Sequence, residues 1–583
     1  MRHFFTALVL LVLLLLTLLP AKAQPTTVVQ ADSLKQVLRV GKPDTGRVHI
    51  LLRLSNYYGR KTWNAVQNRD SALAMARQAH ALSRQLRYAR GGEEALFLEG
   101  KTLIRQENMG AVRRLLERVS EENRVRLLLE LGKQRWQDSQ AHQADLDTSL
   151  ALFHQAERLS ESLKHPRWKE ESQFLLGVIY RLKKDEDKSK AYFNEVIEAR
   201  RRAGDKAGEA TALLRMLNFV MYTSRKCQAG ECTERVSALN RALTLSRQMK
   251  DKALEVMSLI RLGKHYSYQQ DYTRVIRLAH QALAIQKQIG YPALNRAWHA
   301  LTDETVYYSQ NFFTGLSNVH YLLTDMNEDL DDLDQALLNY FRGVREVEQS
   351  GLYEELAYPY ALIGKTYSVI GQTEKSIAYY RKSLAVSRAK GEAVVFNGLI
   401  RWLADDLLKQ GKAREALQVL EEYTRQNLPL AYSSKTLNLS SLAKCYSALK
   451  QYAQAEKYYL EAIAMSEQSP DTPTNTTVIY AAGQFYVATG QYRKAEPLIK
   501  RVLADLDKAV GLGLEFQEAH LLQFKVDSAL GNYPSAIRHY QVYTAVKDSV
   551  FNEAKSKQIE ELGVRYETEK KEQALRLKEK DNA

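Results

Sequence analysis

The chain has 583 residues, 45% of them hydrophobic and 26% charged, with a formal net charge of +15 at pH 7. That hydrophobic content excludes a disordered polymer, and the length exceeds what one compact core usually holds. With 11 prolines and 3 cysteines, a proline-rich linker and a disulfide-dense scaffold are excluded too.

The first predicted element is a secretory signal peptide over residues 1–23. Arg2 and His3 form its basic start and Phe4 to Leu19 its apolar core. Pro20 precedes Ala21-Lys22-Ala23, a small-x-small cleavage site before Gln24. No cysteine follows the cut, which argues against a lipoprotein. An uncleaved anchor is the rival reading, because the leucine run is long. No other stretch reaches the ~18 consecutive apolar residues needed to span a bilayer. The mature protein is therefore expected outside the cytoplasm, with residues 24–46 as an N-terminal lead-in.

From residue 47 to 544 the chain echoes itself with a near-constant period, of the length that marks arrays of helical hairpins. A small residue is followed three later by a tyrosine and twelve later by another small or apolar residue. Gly177, Tyr180 and Ser189 do this, as do Gly263, Tyr266 and Val275. So do Gly364, Tyr367 and Ser376; Ala443, Tyr446 and Ala455; Gly483, Tyr486 and Ala495. A three-residue step puts the small residue and the tyrosine on one helical face, where the small residue lets a neighbouring helix approach. Turn signals follow at Gly371-Gln372, Gly411-Lys412 and Gly490-Gln491. The spacing is helical throughout, with none of the alternation of a strand. It predicts an all-α solenoid of about twelve helical hairpins.

The small or apolar positions of the second helices fall at Ala72, Val112, Ser149, Ser189, Arg235, Val275, Ala336, Ser376, Ala416, Ala455, Ala495 and Ala536. Arg235 departs from the pattern. Large apolar residues follow four later at Phe193, Tyr380, Leu420, Tyr459 and Ile499. In this order of small, tyrosine, small and aromatic residues the chain resembles the tetratricopeptide repeat (TPR), whose usual period of roughly 34 residues is shorter than the one here. The resemblance implies a right-handed superhelix, with the extra residues taken up in longer helices or connections. The recurring tyrosines and glycines are expected to build the solenoid rather than to touch a ligand.

Two intervals are irregular. The step from Ser189 to Arg235 is longer than its neighbours, and Cys227 and Cys232 sit in the excess beside Ala229-Gly230. An oxidising compartment permits a disulfide there, and two loop thiols are the alternative. The step from Val275 to Ala336 exceeds the period by about half a repeat. Its excess carries Trp298, Tyr307, Tyr308, Phe312 and Phe313, which either form a groove-facing binding insert or pack internally as a decayed repeat. Cys445, beside Tyr446, reads as a buried thiol.

Catalytic and metal signatures are missing. There is no phosphate-binding glycine loop, no His-Glu-x-x-His and no Gly-x-Ser-x-Gly. The acidic run from Asp325 to Asp332 fails as a calcium loop, because Leu330 stands where the turn needs glycine and Ala336 where it needs glutamate. The 12 histidines are scattered, with no two forming an obvious ligand pair. No enzyme, no cofactor and no metal is expected. The longest basic run is Arg200-Arg201-Arg202, a solvated helix face, so nucleic acid is not the expected partner.

Residues 545–583 change character. They are mixed in charge and almost free of turn formers. Ile559, Leu562 and Tyr566 step by three and four, a short heptad seam that turns polar beyond Tyr566 and suits a coiled-coil-like helix and a weak homodimer. The run Lys547 to Asn552, then Ile559 to Leu562, then Tyr566 to Glu572 resembles the juncture in TPR-containing sensor histidine kinases of Gram-negative bacteria. There a periplasmic TPR array leads through such a helix into a membrane span and an output domain. This chain stops at Ala583, before any such part, and no catalytic residue carries over. The resemblance implies a periplasmic, non-enzymatic module that binds a protein or peptide, senses it for a signal-transduction system and meets a membrane-bound signalling partner. The alternative is a stand-alone periplasmic scaffold for envelope protein assembly.

Overall fold

A computed structural model describes residues 28–40, 42–60, 65–138, 143–223, 229–301, 319–329, 332–390, 398–425, 432–467, 472–506 and 514–547. Among the described residues there are helices and turns but no strand. Two compact units are present. Unit 1 comprises residues 1–412 and 421–431, and unit 2 comprises residues 413–420 and 432–583.

Unit 1 opens with α1 (Val28–Val40), so the stretch expected only as a lead-in carries a helix. Eight helical pairs follow. They are α2 (Thr45–Gly59) with α3 (Ala65–Gln85), α4 (Ala89–Arg105) with α5 (Met109–Leu116), and α6 (Glu121–Asp138) with α7 (Gln143–Ser162). Next come α8 (Pro166–Leu182) with α9 (Glu186–Arg202), α10 (Lys206–Thr223) with α11 (Ala229–Met249), and α12 (Lys252–Tyr268) with α13 (Tyr272–Ile289). An extra helix, α14 (Tyr291–Leu301), falls inside the long interval between Val275 and Ala336. Then α15 (Val319–Asp329) pairs with α16 (Leu333–Gln349), and α17 (Ala357–Val369) with α18 (Thr373–Lys390). α19 (Leu399–Lys409) packs on α18, and α20 spans Ala413–Arg425. In unit 2, α21 (Tyr432–Ala448) pairs with α22 (Tyr452–Glu467), and α23 (Thr472–Ala488) with α24 (Tyr492–Leu506). α25 (Leu514–Ala529) precedes a further helix, α26, over residues 533–547.

The pairs form for the reason the spacing implies. All twelve second-helix positions are buried, including Arg235, whose guanidinium meets Glu231 one turn earlier at 2.5 Å. The glycines face the large residue of the partner helix. A Cβ on Gly177 would lie 2.8 Å from the Phe193 ring, and one on Gly364 would lie 2.5 Å from that of Tyr380. Ser189 donates its hydroxyl to the Gly177 carbonyl at 2.8 Å, and Ser149 does the same to Gly132 at 2.9 Å, so the close approach is also hydrogen-bonded. Where the second helix has Ala279 in place of a large residue, Leu322 of α15 closes on Gly263 instead.

The recurring tyrosines lie between the helices of a pair. Tyr180 stacks on Tyr192 with centroids 5.6 Å apart, Tyr367 on Tyr379 at 5.6 Å and Tyr446 on Tyr458 at 5.4 Å. A cation from the second helix covers the ring in four pairs: Lys188 over Tyr180, Arg274 over Tyr266, Lys375 over Tyr367 and Lys494 over Tyr486. Each such contact contributes roughly 0.5–1 kcal/mol at a half-exposed site. In unit 1 a continuous cluster of buried side chains runs from Val125 to Met326, so each pair buries its apolar faces against its neighbours as well as within itself.

Turns between helices use the left-handed region. Gly371, Gly411, Gly490 and Gly531 occupy it, and Lys184, Gln270 and Lys450 stand at equivalent turns with φ of 62°, 59° and 60°. Aspartates cap the next helix: Asp185, Asp251, Asp271 and Asp332 each accept a hydrogen bond from the backbone N–H three residues on.

Candidate binding face

Four consecutive first helices of unit 1, α4, α6, α8 and α10, carry charged side chains on the face turned toward one another. On α4, Glu94 meets Arg126 of α6, with the guanidinium 2.9 Å from the carboxylate. The Arg126 guanidinium also lies over the Phe97 ring, 3.5 Å from its centroid. Further along α4, Lys101 reaches Glu130 of α6 at 3.5 Å. Glu130 in turn meets Lys133 at 3.7 Å, and Lys133 meets Glu171 of α8 at 3.8 Å. Glu171 then accepts two guanidinium nitrogens of Arg215 on α10, at 3.1 and 3.2 Å. The Arg215 guanidinium rests 4.0 Å from the centroid of Phe174 on α8.

The result is a ladder of alternating charge crossing four repeats. Its members lie between core and water: Lys133 is 6% exposed in its side chain, Lys101 15% and Arg215 22%. At that depth the charges are only partly screened, and planar guanidinium groups on aromatic rings are held in fixed directions. Lys101, Arg126, Lys133 and Arg215 outnumber Glu94, Glu130 and Glu171 by one. A face of this kind presents fixed N–H donors and carboxylate acceptors beside apolar rings, which is the chemistry for gripping a polypeptide segment.

A second set of charges fixes the joints between pairs. Glu209 of α10 is buried and held by Arg201 of α9 and Arg241 of α11, each at 3.0 Å. Burial alone would raise its carboxyl, but the hydrogen bonds from Arg241 and Arg201 outweigh that and hold it below the usual carboxylate range. Glu255 of α12 is the counterpart, held by Lys252 and Arg247 at 2.9 Å each and shifted down for the same reasons. In both joints the arginine stands eight residues before the glutamate, across the turn that leads into the next first helix.

The residues singled out in the sequence fall as follows. Trp298 lies in α14, buried at 2% exposure, with the Arg261 guanidinium 4.6 Å from its ring. Its side chain belongs to the buried cluster of unit 1. Tyr307, Tyr308, Phe312 and Phe313 lie outside the described residues, as do Ile559, Leu562 and Tyr566. Cys232 stands in α11 and is disulfide-bonded, and Cys227 lies outside the described residues. Cys445 is buried as a thiol. Among the described residues no group of three or more His, Cys, Asp or Glu side chains is placed to hold a metal ion. No described helix is long and apolar enough to cross a membrane. The ladder is not legible in the sequence. Its partners stand 32 residues apart for Glu94 and Arg126 and 44 apart for Glu171 and Arg215, so no constant spacing announces them.

Several solved structures are similar over long stretches. Apo RapI is 13% identical, with 59% of this chain and 98% of that one covered and a TM-score of 0.39. A Rap protein complexed with competence and sporulation factor is 15% identical, with 59% and 99% covered and a TM-score of 0.34. BtubC from P. vanneervenii is 16% identical, with 37% and 92% covered and a TM-score of 0.33. No curated protein matches the chain. Family models do match. One model of the tetratricopeptide repeat covers residues 433–508, and another covers 170–202 and 357–390, so repeats of this kind are present in both units.

Proposed function

We propose that this is a non-enzymatic TPR protein that binds a protein or peptide on the first-helix face of α4, α6, α8 and α10. The observation that carries the reading is the ladder from Glu94 to Arg215, which holds half-buried charges and guanidinium–ring stacks in one line across four repeats. An extended segment bearing a carboxylate suits the surplus positive charge. TPR proteins are generally binding or scaffold proteins, and the matched repeats support the same reading. The chain is exported by residues 1–23 and works outside the cytoplasm, as the ligand-sensing module of a signalling system. Its C-terminal segment, through Ile559, Leu562 and Tyr566, carries a weak homodimer contact and meets a membrane-bound signalling partner. Those last elements rest on the sequence of the two ends of the chain.

The test is affinity for a peptide selected from a displayed random library on the full mature chain. Arg126→Ala and Lys101→Ala are each expected to weaken binding about 10-fold, since a hydrogen bond to a charged group contributes roughly 1.5–3 kcal/mol. Lys494→Ala, far along the chain in unit 2, should leave it unchanged. Wild-type affinity in an Arg126→Ala, Lys101→Ala double variant, or failure to select any binder, would count against the reading.

A further inference from the structure

Helix α26 is held loosely, and the polar contacts beneath it are unusual. Only Ala536 and Val546 of its residues are buried. Tyr533, Ile537 and Tyr540 are 64%, 58% and 46% exposed, although Tyr540 stands where the repeat expects a buried large residue. Its apolar hold on α25 includes one ring contact, Phe524 to Tyr540 at 5.0 Å. Beneath it, α25 presents His520, Gln523 and Asp527, all buried, where the first helix of the preceding pair, α23, carries the buried Ile479, Ala482 and Tyr486 at the equivalent positions.

His520 and His539 meet across this interface. Their Nδ1 atoms are 2.8 Å apart, with the ring centroids at 5.0 Å. Phe516 packs edge-on against His520 at 4.5 Å. Asp527 Oδ2 lies 4.0 Å from Nε2 of His539, and Gln523 steadies that carboxylate by donating to its other oxygen at 2.8 Å. We propose that His520 and His539 form a proton-counting latch, which docks α26 on α25 at neutral pH and releases it when both rings are protonated.

Two nitrogens this close can share one proton, with one ring donating Nδ1–H and the other accepting it. The link exists when both rings are neutral, and it survives a single added charge, which the Asp527 carboxylate favours. It cannot survive a second. Two imidazolium rings carry a proton on every nitrogen, so two N–H donors would point at each other across the same short gap. The doubly charged pair therefore binds its last proton better in the open form than in the docked one, and acidification drives opening. A free imidazole titrates near ~6.5, so the transition belongs on the acid side of neutrality.

Other charged and titratable groups lie around the pair. Lys500 on α24 interacts with Asp527 and competes for its charge. Glu518 on α25 is bonded to the Tyr480 hydroxyl of α23 at 2.8 Å, and Asp505 on α24 to Thr476 at 3.2 Å. Lys525 on α25 and Arg538 and Lys547 on α26 are exposed cations, which add to the repulsion as the rings charge. Tyr540 and Tyr543 on α26 pack against each other in a tilted arrangement, with centroids 5.9 Å apart.

The experiment is hydrogen exchange on the full chain at pH 7.5 and pH 5, corrected for the intrinsic rate. Peptides covering 533–547 are expected to exchange about 10-fold faster at pH 5, while peptides from α21 and α23 change little. His520→Gln and His539→Gln, each able to keep a neutral hydrogen bond, should remove the pH step. Equal protection of 533–547 at the two pH values would overturn the proposal, as would an acid step that persists in either variant. Imidazole 15N shifts of the wild-type chain give a readout independent of the variants. Uptake of the second proton must coincide with loss of protection, and two charged rings in a still-protected helix would refute the latch.

Discussion

Gly364 shows how little space a helical pair leaves between its members. A Cβ there would sit 2.5 Å from the Tyr380 ring, which is buried against Trp402 of α19 and cannot swing away. Gly364→Ala is expected to lower stability by about 1–3 kcal/mol through overpacking, read as a lower denaturant midpoint. Gly110→Ala is the control, since its Cβ would meet only the far end of Arg114. The joints respond to pH instead. Glu209 and Glu255 have carboxyls held below their ordinary value, so they contribute stability that is present above the unfolded value of about 4.3 and is lost as pH falls through the folded one. A Glu209→Gln, Glu255→Gln double variant should be less stable than the wild type at pH 7, by roughly 1–3 kcal/mol per joint. The gap should narrow toward pH 3. A gap that stays constant between pH 7 and pH 3 would contradict the joint assignment. At this scale the sequence is informative about sterics and poor about charge. Small residues recur because helices must approach closely, so Gly177, Gly364 and Ala495 are legible by spacing alone. Arg235 looks like a break in the pattern, yet it is buried, because Glu231 one turn away neutralises it.

Among elements, the near-constant recurrence translates directly into helical pairs, because many of the turns and caps are written locally, as in Gly371-Gln372, Lys184-Asp185 and Gln270-Asp271. Irregular intervals carry less information. The long step before Ala336 holds an additional helix, α14, whose Trp298 is spent on the core beside Arg261. A tryptophan in an insert looks the same in sequence whether it packs inward or outward. The ladder on α4, α6, α8 and α10 was illegible for a different reason: its pairs join helices whose separation along the chain varies with each intervening second helix. The histidine pair was equally hidden, since His520 and His539 are distant in the sequence and only the α25–α26 turn brings them together. The interval holding Cys227 and Cys232 gives a prediction at this scale. Cys232 is disulfide-bonded, and Cys227 is proposed as its partner. Mass spectrometry of exported protein, alkylated without reductant, should find a peptide pair joined through these two residues. Label on Cys227 would exclude the pairing. Loss of the bond in a double serine variant should cost little, because the loop closed is short.

In the whole molecule most residues serve repeated packing, and the charged face of α4, α6, α8 and α10 is proposed to hold the ligand. Export through residues 1–23 is part of the proposal, and the exported chain is then expected to begin at Gln24, which N-terminal sequencing would establish or refute. The central claim concerns where a polypeptide ligand sits. Hydrogen exchange on the full mature chain, with and without a saturating library-selected peptide, tests it most directly. The account predicts that protection gained on binding is concentrated in α4, α6, α8 and α10, around Lys101, Arg126, Lys133 and Arg215. Protection confined to the second helices α5, α7, α9 and α11, or found only in unit 2, would contradict it.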